Sequence, residues 1–308
     1  MRSHRALLAL PMTVFLALAL ASGCRKEPFS EPEILGGKDI APQVLTRGHD
    51  LYARYCVTCH GEHGDGNGLA APGMRPPPRD FRTATFKFAG AADQELPHDD
   101  ELVRVVRDGL PGTAMRAWDL SEGEIRAILH YIKTFSAPGH GFRDPHREVA
   151  RPERSPDPYE GREVEAIAEG ERLYHTVLQC NQCHPTYVSP ERYEEWDALL
   201  PRADAPYRPV PRYSAAYDEI LLPDDFLRHR LRSVRTDPKG RLRLDDLHRV
   251  IAYGLQGPMP GYGHLGDEMT WPIAYYVRSI AELRDRDAGE SLLRELEVWQ
   301  RATEDAAL

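Results

Sequence analysis

The sequence predicts an all-α protein in which one helical unit occurs twice. Apolar residues fall at helical spacing in the segments able to pack, and no convincing run of strands separates them. Matching segments also recur in the same order at a nearly constant separation. Pro78-Arg79-Asp80-Phe81 and Pro223-Asp224-Asp225-Phe226 lie 145 residues apart, as do Leu102 to Leu110 and Leu247 to Leu255, and Tyr131 to Phe135 and Tyr276 to Ile280. The 308 residues leave room for two domains of ordinary size.

The first element is a targeting segment. Arg2 and Arg5 precede an apolar run from Ala6 to Ala21, and Ala21-Ser22-Gly23-Cys24 follows. The pattern resembles a bacterial lipoprotein signal: residues 1–23 would be the signal peptide and Cys24 the lipidated new N-terminus. Ala21 stands where such signals usually carry Leu. A plain secretory signal or an uncleaved anchor uses the same residues, but the run contains Pro11 and is shorter than the ~20 residues of a span. Cleavage before Cys24 removes two arginines and no acid, taking the formal charge from −9 to −11. An acidic chain is a poor partner for nucleic acid. With 28% charged residues the body reads as soluble, and residues 24–43 read as the tether behind the lipid.

The remaining elements follow in order. Thr46 to Cys56 reads as a helix, with Leu51 and Tyr55 on one face. Asp99 to Asp108 reads as a second, with Leu102, Val105 and Val106 aligned and Gly109 as its stop. Ser121 to Phe135 is the clearest. Ser121 and Glu124 form a capping box, and Ile125, Ile128, Leu129 and Ile132 make the apolar stripe. Asp267 to Leu283 is its counterpart. Residues 137–164, with Pro138, Pro145, Pro152, Pro156 and Pro158, read as a Pro-rich linker. Domain one is thus 44–136 and domain two 165–284, and 285–308 holds a last amphipathic helix aligned on Leu292, Leu296 and Trp299.

Each unit opens with two thiols and an imidazole. "YCVTCHG" supplies Cys56, Cys59 and His60, and "QCNQCHP" supplies Cys180, Cys183 and His184. These motifs lie only 124 residues apart, so the second unit carries 21 extra residues, placed in an insert over 185–222 that is rich in Pro and Tyr and reads as an ordered loop. C-x-x-C-H is the attachment signature of c-type haem. The thiols add to the two vinyl groups, and the next residue's imidazole becomes the proximal iron ligand. A zinc site needs four ligands and each motif offers at most three; a redox dithiol gives no reason for a histidine twice. Two covalently bound haem c groups are therefore expected.

A sixth iron ligand must come from elsewhere. Met115 in "GLPGTAM" and Met259 in "GLQGPM" occupy matched places, each after a Gly-Leu pair and before the last helix of its unit. Met74 has no partner in the second unit, and Met269 falls on a helix. A lone methionine is more often core filler; two at equivalent loop positions point to ligation.

With these residues in view, each unit resembles a class I cytochrome c domain, over about 44–136 and 165–284. "CVTCHGEHGDGNG" and "GLPGTAM" carry the likeness in the first; in the second, Pro185 replaces the glycine after the histidine and the insert is added. The resemblance implies two tandem class I cytochrome c-like domains, each with helices around one haem. First and last helices would cross at Gly48, Tyr52 and Tyr131, and at Gly170, Tyr174 and Tyr276. It further implies a dihaem carrier of single electrons between redox proteins, with a membrane respiratory complex as one such partner, held by its lipid to the bacterial cell envelope with the haems in the periplasm. Two rival functions share these motifs: a dihaem peroxidase-like enzyme, which needs one open iron, and a fixed subunit of a larger oxidoreductase. Independent catalysis is not expected of the carrier.

Overall fold

Helix-forming residues do what their spacing dictates. The computed structural model describes residues 28–92, 95–150, 155–189, 191–192, 195–196, 207–214 and 219–306. The signal peptide 1–23, Cys24 and parts of the expected tether, linker and insert lie outside them. The structure is mostly helical, with 44% helix against 6% strand.

In the first half, α1 spans Pro42–Tyr55, α2 Val57–His60, α3 Asp99–Asp108 and α4 Glu122–Lys133. Proline opens α1, where its missing N–H costs nothing. Asp99, Asp100 and Glu101 begin α3 against the positive end of its dipole. Ser121 and Glu124 form the capping box of α4: the Glu124 N–H donates to Ser121 Oγ, and the Ser121 N–H to the Glu124 carboxylate at 3.0 Å. Ile125, Ile128, Leu129 and Ile132 are all buried, joined by Tyr52, Leu102 and Phe142.

In the second half, α5 spans Glu163–Arg172 and runs into a π-turn over Leu173–Val177; α6 spans Leu244–Tyr253 and α7 Asp267–Ala281. A separate cluster forms there around Tyr174, Leu247, Ile251, Ile273 and Tyr276. The last helix, α8, spans Asp287–Ala306. Its Leu296 is fully buried, and Trp299 packs on Val188 and Trp196.

The same crossing closes both halves. α1 meets α4 at Gly48, and α5 meets α7 at Gly170. A Cβ on Gly48 would lie 2.1 Å from the Ala127 carbonyl oxygen, and one on Gly170 2.0 Å from that of Pro272. Tyr52 meets Tyr131 edge-on at 5.3 Å, and Tyr174 meets Tyr276 at 5.4 Å. Gly48→Ala and Gly170→Ala should each force the helices apart and cost about 1–3 kcal/mol or more, read as a lowered melting temperature of the holoprotein.

Three segments are more structured than their composition suggested. Part of the expected tether folds as a hairpin of β1 (Glu33–Leu35) and β2 (Lys38–Ile40), with Leu35 fully buried and the Gly36 N–H donating to the Phe142 carbonyl at 2.7 Å. The described linker residues are packed as well. Phe142 enters the first core, and Tyr159 packs with Trp271 and Tyr275 of the second half. The insert contributes a second hairpin, β3 (Arg212–Ser214) with β4 (Glu219–Leu221). Three-residue strands are too short to leave a readable alternation. Among the described residues, no helix is long and apolar enough to cross a membrane.

Candidate haem site

The first motif sits where α1 ends. The N–H groups of Cys59 and His60 donate to the Cys56 carbonyl at 3.2 and 2.9 Å, so one tight turn carries both thiols and the imidazole. Tyr52 on α1 donates its hydroxyl to the Gly61 carbonyl at 2.6 Å and fixes the chain just past the histidine. Cys56, Cys59 and His60 line a cavity of about 310 Å³ whose walls are mostly apolar, including Phe81, Phe86, Trp118, Ile128 and Leu129. Val105 faces this cavity rather than the core.

The protonation of His60 follows from its partner. Nδ1 lies 3.1 Å from the Arg79 carbonyl oxygen. A carbonyl only accepts, so Nδ1 carries the proton and Nε2 keeps its lone pair for a ligand. Burial lowers the histidine's pKa, which favours that neutral form. Burial also pushes the Cys56 thiol up to about 12, with Cys59 beside it adding to the effect. Both thiols are half-buried.

Met115 lines the same cavity. Its loop is closed by the Leu110 N–H donating to the Met115 carbonyl at 3.0 Å, and the Met115 N–H donates to Thr113 Oγ1 at 3.1 Å. Gly109, at φ 68°, makes the entry to the loop; a Cβ there would lie 2.6 Å from the Ala117 nitrogen. Met74 also lines the cavity, from an outer loop beside Pro76, Pro77 and Pro78.

The second motif repeats this geometry. The Cys183 and His184 N–H groups donate to the Cys180 carbonyl at 3.1 and 2.9 Å. His184 Nδ1 lies 3.0 Å from the Asp224 carbonyl oxygen, 145 residues on from Arg79. Tyr174 donates to the Pro185 carbonyl at 2.9 Å, so proline in place of glycine leaves that bond in being. His60 stacks on Phe81 at 4.4 Å, and His184 meets Phe226 at 5.0 Å. The Leu255 N–H donates to the Met259 carbonyl at 2.9 Å, as in the first loop. Cys180, Met259 and Tyr262 all pack against the second core, and Tyr262, which follows Met259 as Trp118 follows Met115, neighbours Cys180 and Cys183.

Residues 43–132 match the family described as cytochrome c oxidase, cbb3-type, subunit III. The match supports a c-type cytochrome domain over this stretch. Haem c bound covalently goes with such a domain, and the residues fit it: paired thiols on one turn, a neutral imidazole with Nε2 free, and an apolar cavity beside them. Among the described residues, no group of three or more His, Cys, Asp or Glu side chains is placed to hold a metal ion.

A solved structure extends the likeness beyond the cytochrome domain. A chain of the Kuenenia stuttgartiensis reducing HAO-like protein complex is 26% identical, with a TM-score of 0.53. The match covers 76% of this chain and 94% of that one, more than the first half alone could supply. No curated protein matches.

Sequence reasoning missed the carbonyls of Arg79 and Asp224, because backbone acceptors have no residue signature; only the neighbouring Phe81/Phe226 match marked the place. It also passed over Met74 as a cavity residue, for want of a repeat partner.

Proposed function

We propose that the chain is a dihaem electron-transfer cytochrome that serves as a subunit of a larger redox assembly. The observation that carries the reading is the pair of imidazole–carbonyl bonds, His60 to Arg79 and His184 to Asp224, set at one repeat spacing with a closed methionine loop in each half. Haem c supplies an iron that takes up and returns one electron with little rearrangement. The chain does the rest. Cys56 and Cys59, and Cys180 and Cys183, would hold the ring covalently; the Nε2 atoms of His60 and His184 and the sulfur atoms of Met115 and Met259 would supply the ligands to its iron. Apolar walls exclude water and competing ligands.

The solved relative belongs to a reducing complex, which supports redox protein partners over a free carrier. The signal and Cys24 support lipid attachment and a periplasmic face. Cys24→Ser should then release the protein from membranes as a soluble periplasmic form; if it stays with the membrane after a salt wash, the anchor lies elsewhere.

The test is an anaerobic redox titration of the holoprotein with carbon monoxide and peroxide challenges. Two one-electron steps and poor binding of either ligand are expected. Rapid binding at one haem would replace the relay with the peroxidase-like reading.

A further inference from the structure

The two halves meet through equivalent parts. Glu101 and Asp246 are 145 residues apart, as are Arg104 and Arg249, and the four form one cluster. Glu101 pairs with Arg104 at 3.1 Å and with Arg249 at 3.3 Å, and Arg249 pairs with Asp246 at 2.9 Å. The methionine loops take part in the same way. Pro111 and Gln256 hold the same place in their loops, and each bonds to the opposite half. The Pro111 carbonyl accepts from the Ser233 N–H at 3.1 Å.

Gln256 makes the stronger connection. Its Oε1 accepts from the Phe86 N–H at 2.5 Å, and its Nε2 donates to the carbonyls of Glu95 at 3.0 Å and Ala92 at 3.4 Å. The residue is 5% exposed, and its backbone sits at φ 46°, a region that costs a residue with a Cβ. Burying an amide costs free energy unless both ends are bonded, and here both ends are. Phe86 lines the first cavity. Gln256 itself lies inside the loop that the Leu255–Met259 bond closes. One side chain therefore joins the wall of the first site to the loop that presents Met259.

We propose that Gln256 is the positioning residue of an internal electron crossing. It fixes the separation of the two haem sites, and a single electron passes between them within the chain across this junction. The inference rests on the two-haem reading above. One ferrous site is oxidised and one ferric site is reduced; no bond forms or breaks and no proton is transferred.

The experiment compares holoproteins by hydrogen exchange at the Phe86 amide and by electron redistribution after a pulse that reduces one haem. Gln256→Ala should keep both haems, lose about tenfold or more in Phe86 protection as its hydrogen bonds go, and slow redistribution several-fold. Gln256→Glu keeps the acceptor for Phe86 but lacks the amide protons, and should fall between. Asp108→Asn weakens the Arg235–Asp108 bridge, 2.7 Å long in the same interface but outside the Met259 loop, and should leave redistribution at the wild-type rate. Wild-type redistribution in Gln256→Ala overturns the proposal, and so does equal slowing by Asp108→Asn, which would mark a merely structural interface. A wild-type chain with one haem overturns instead the reading on which the proposal rests.

Discussion

The double variant Cys180→Ser, Cys183→Ser is expected to carry half the covalent haem of the wild type and to keep an intact first half. The thiols are its only means of bonding the ring, so their loss leaves His184 without a fixed partner. The second core also loses the group that its walls would enclose. The effect should be confined, because the cores built around Tyr52 and Tyr174 are separate. Intact mass gives the haem count, and limited proteolysis reports which half has loosened. The mirror variant Cys56→Ser, Cys59→Ser should remove the other haem. If haem content stays at the wild-type level in the first variant, the second motif is not an attachment site.

Met115→Ala should open the first haem to carbon monoxide, from poor binding to one site per chain, and should remove about half of the weak far-red absorption that sulfur ligation gives ferric haem. Its potential should also fall, since a thioether favours ferrous iron. Met74 is the informative comparison, because both methionines line the cavity. The loop of Met115 is closed by its own backbone and by Thr113, which presents the side chain in a fixed way. Met74→Ala should therefore leave the band and the closed site unchanged. If Met74→Ala opens the haem and Met115→Ala does not, the ligand comes from the outer loop. Met259→Ala should reproduce the Met115→Ala result in the second half.

Much of this arrangement was legible because the chain states it twice. The bounds of α3, the helix crossings at Gly48 and Gly170, and the paired methionine loops each have a counterpart in the other half, which separates them from chance, while the Ser121–Glu124 box is legible from its own capping pattern. Where a segment occurs once, the sequence said less. Composition makes 33–40 a tether, although Leu35 is fully buried in a cluster with Ile40 and Leu45. Proline content marked 137–164 as a linker, yet Phe142 and Tyr159 are core residues. Composition reports backbone restriction, not whether a neighbour covers the side chains. Gln256 gave no signal either: its role depends on carbonyls 161 and 164 residues away.

The central claim is that both halves are haem domains, and the haem count of the purified wild-type chain tests it most directly. Intact mass and a pyridine haemochrome spectrum should agree on two covalent haems per chain, neither extracted by acid acetone. One covalent haem per chain, or any haem released by that extraction, would contradict it.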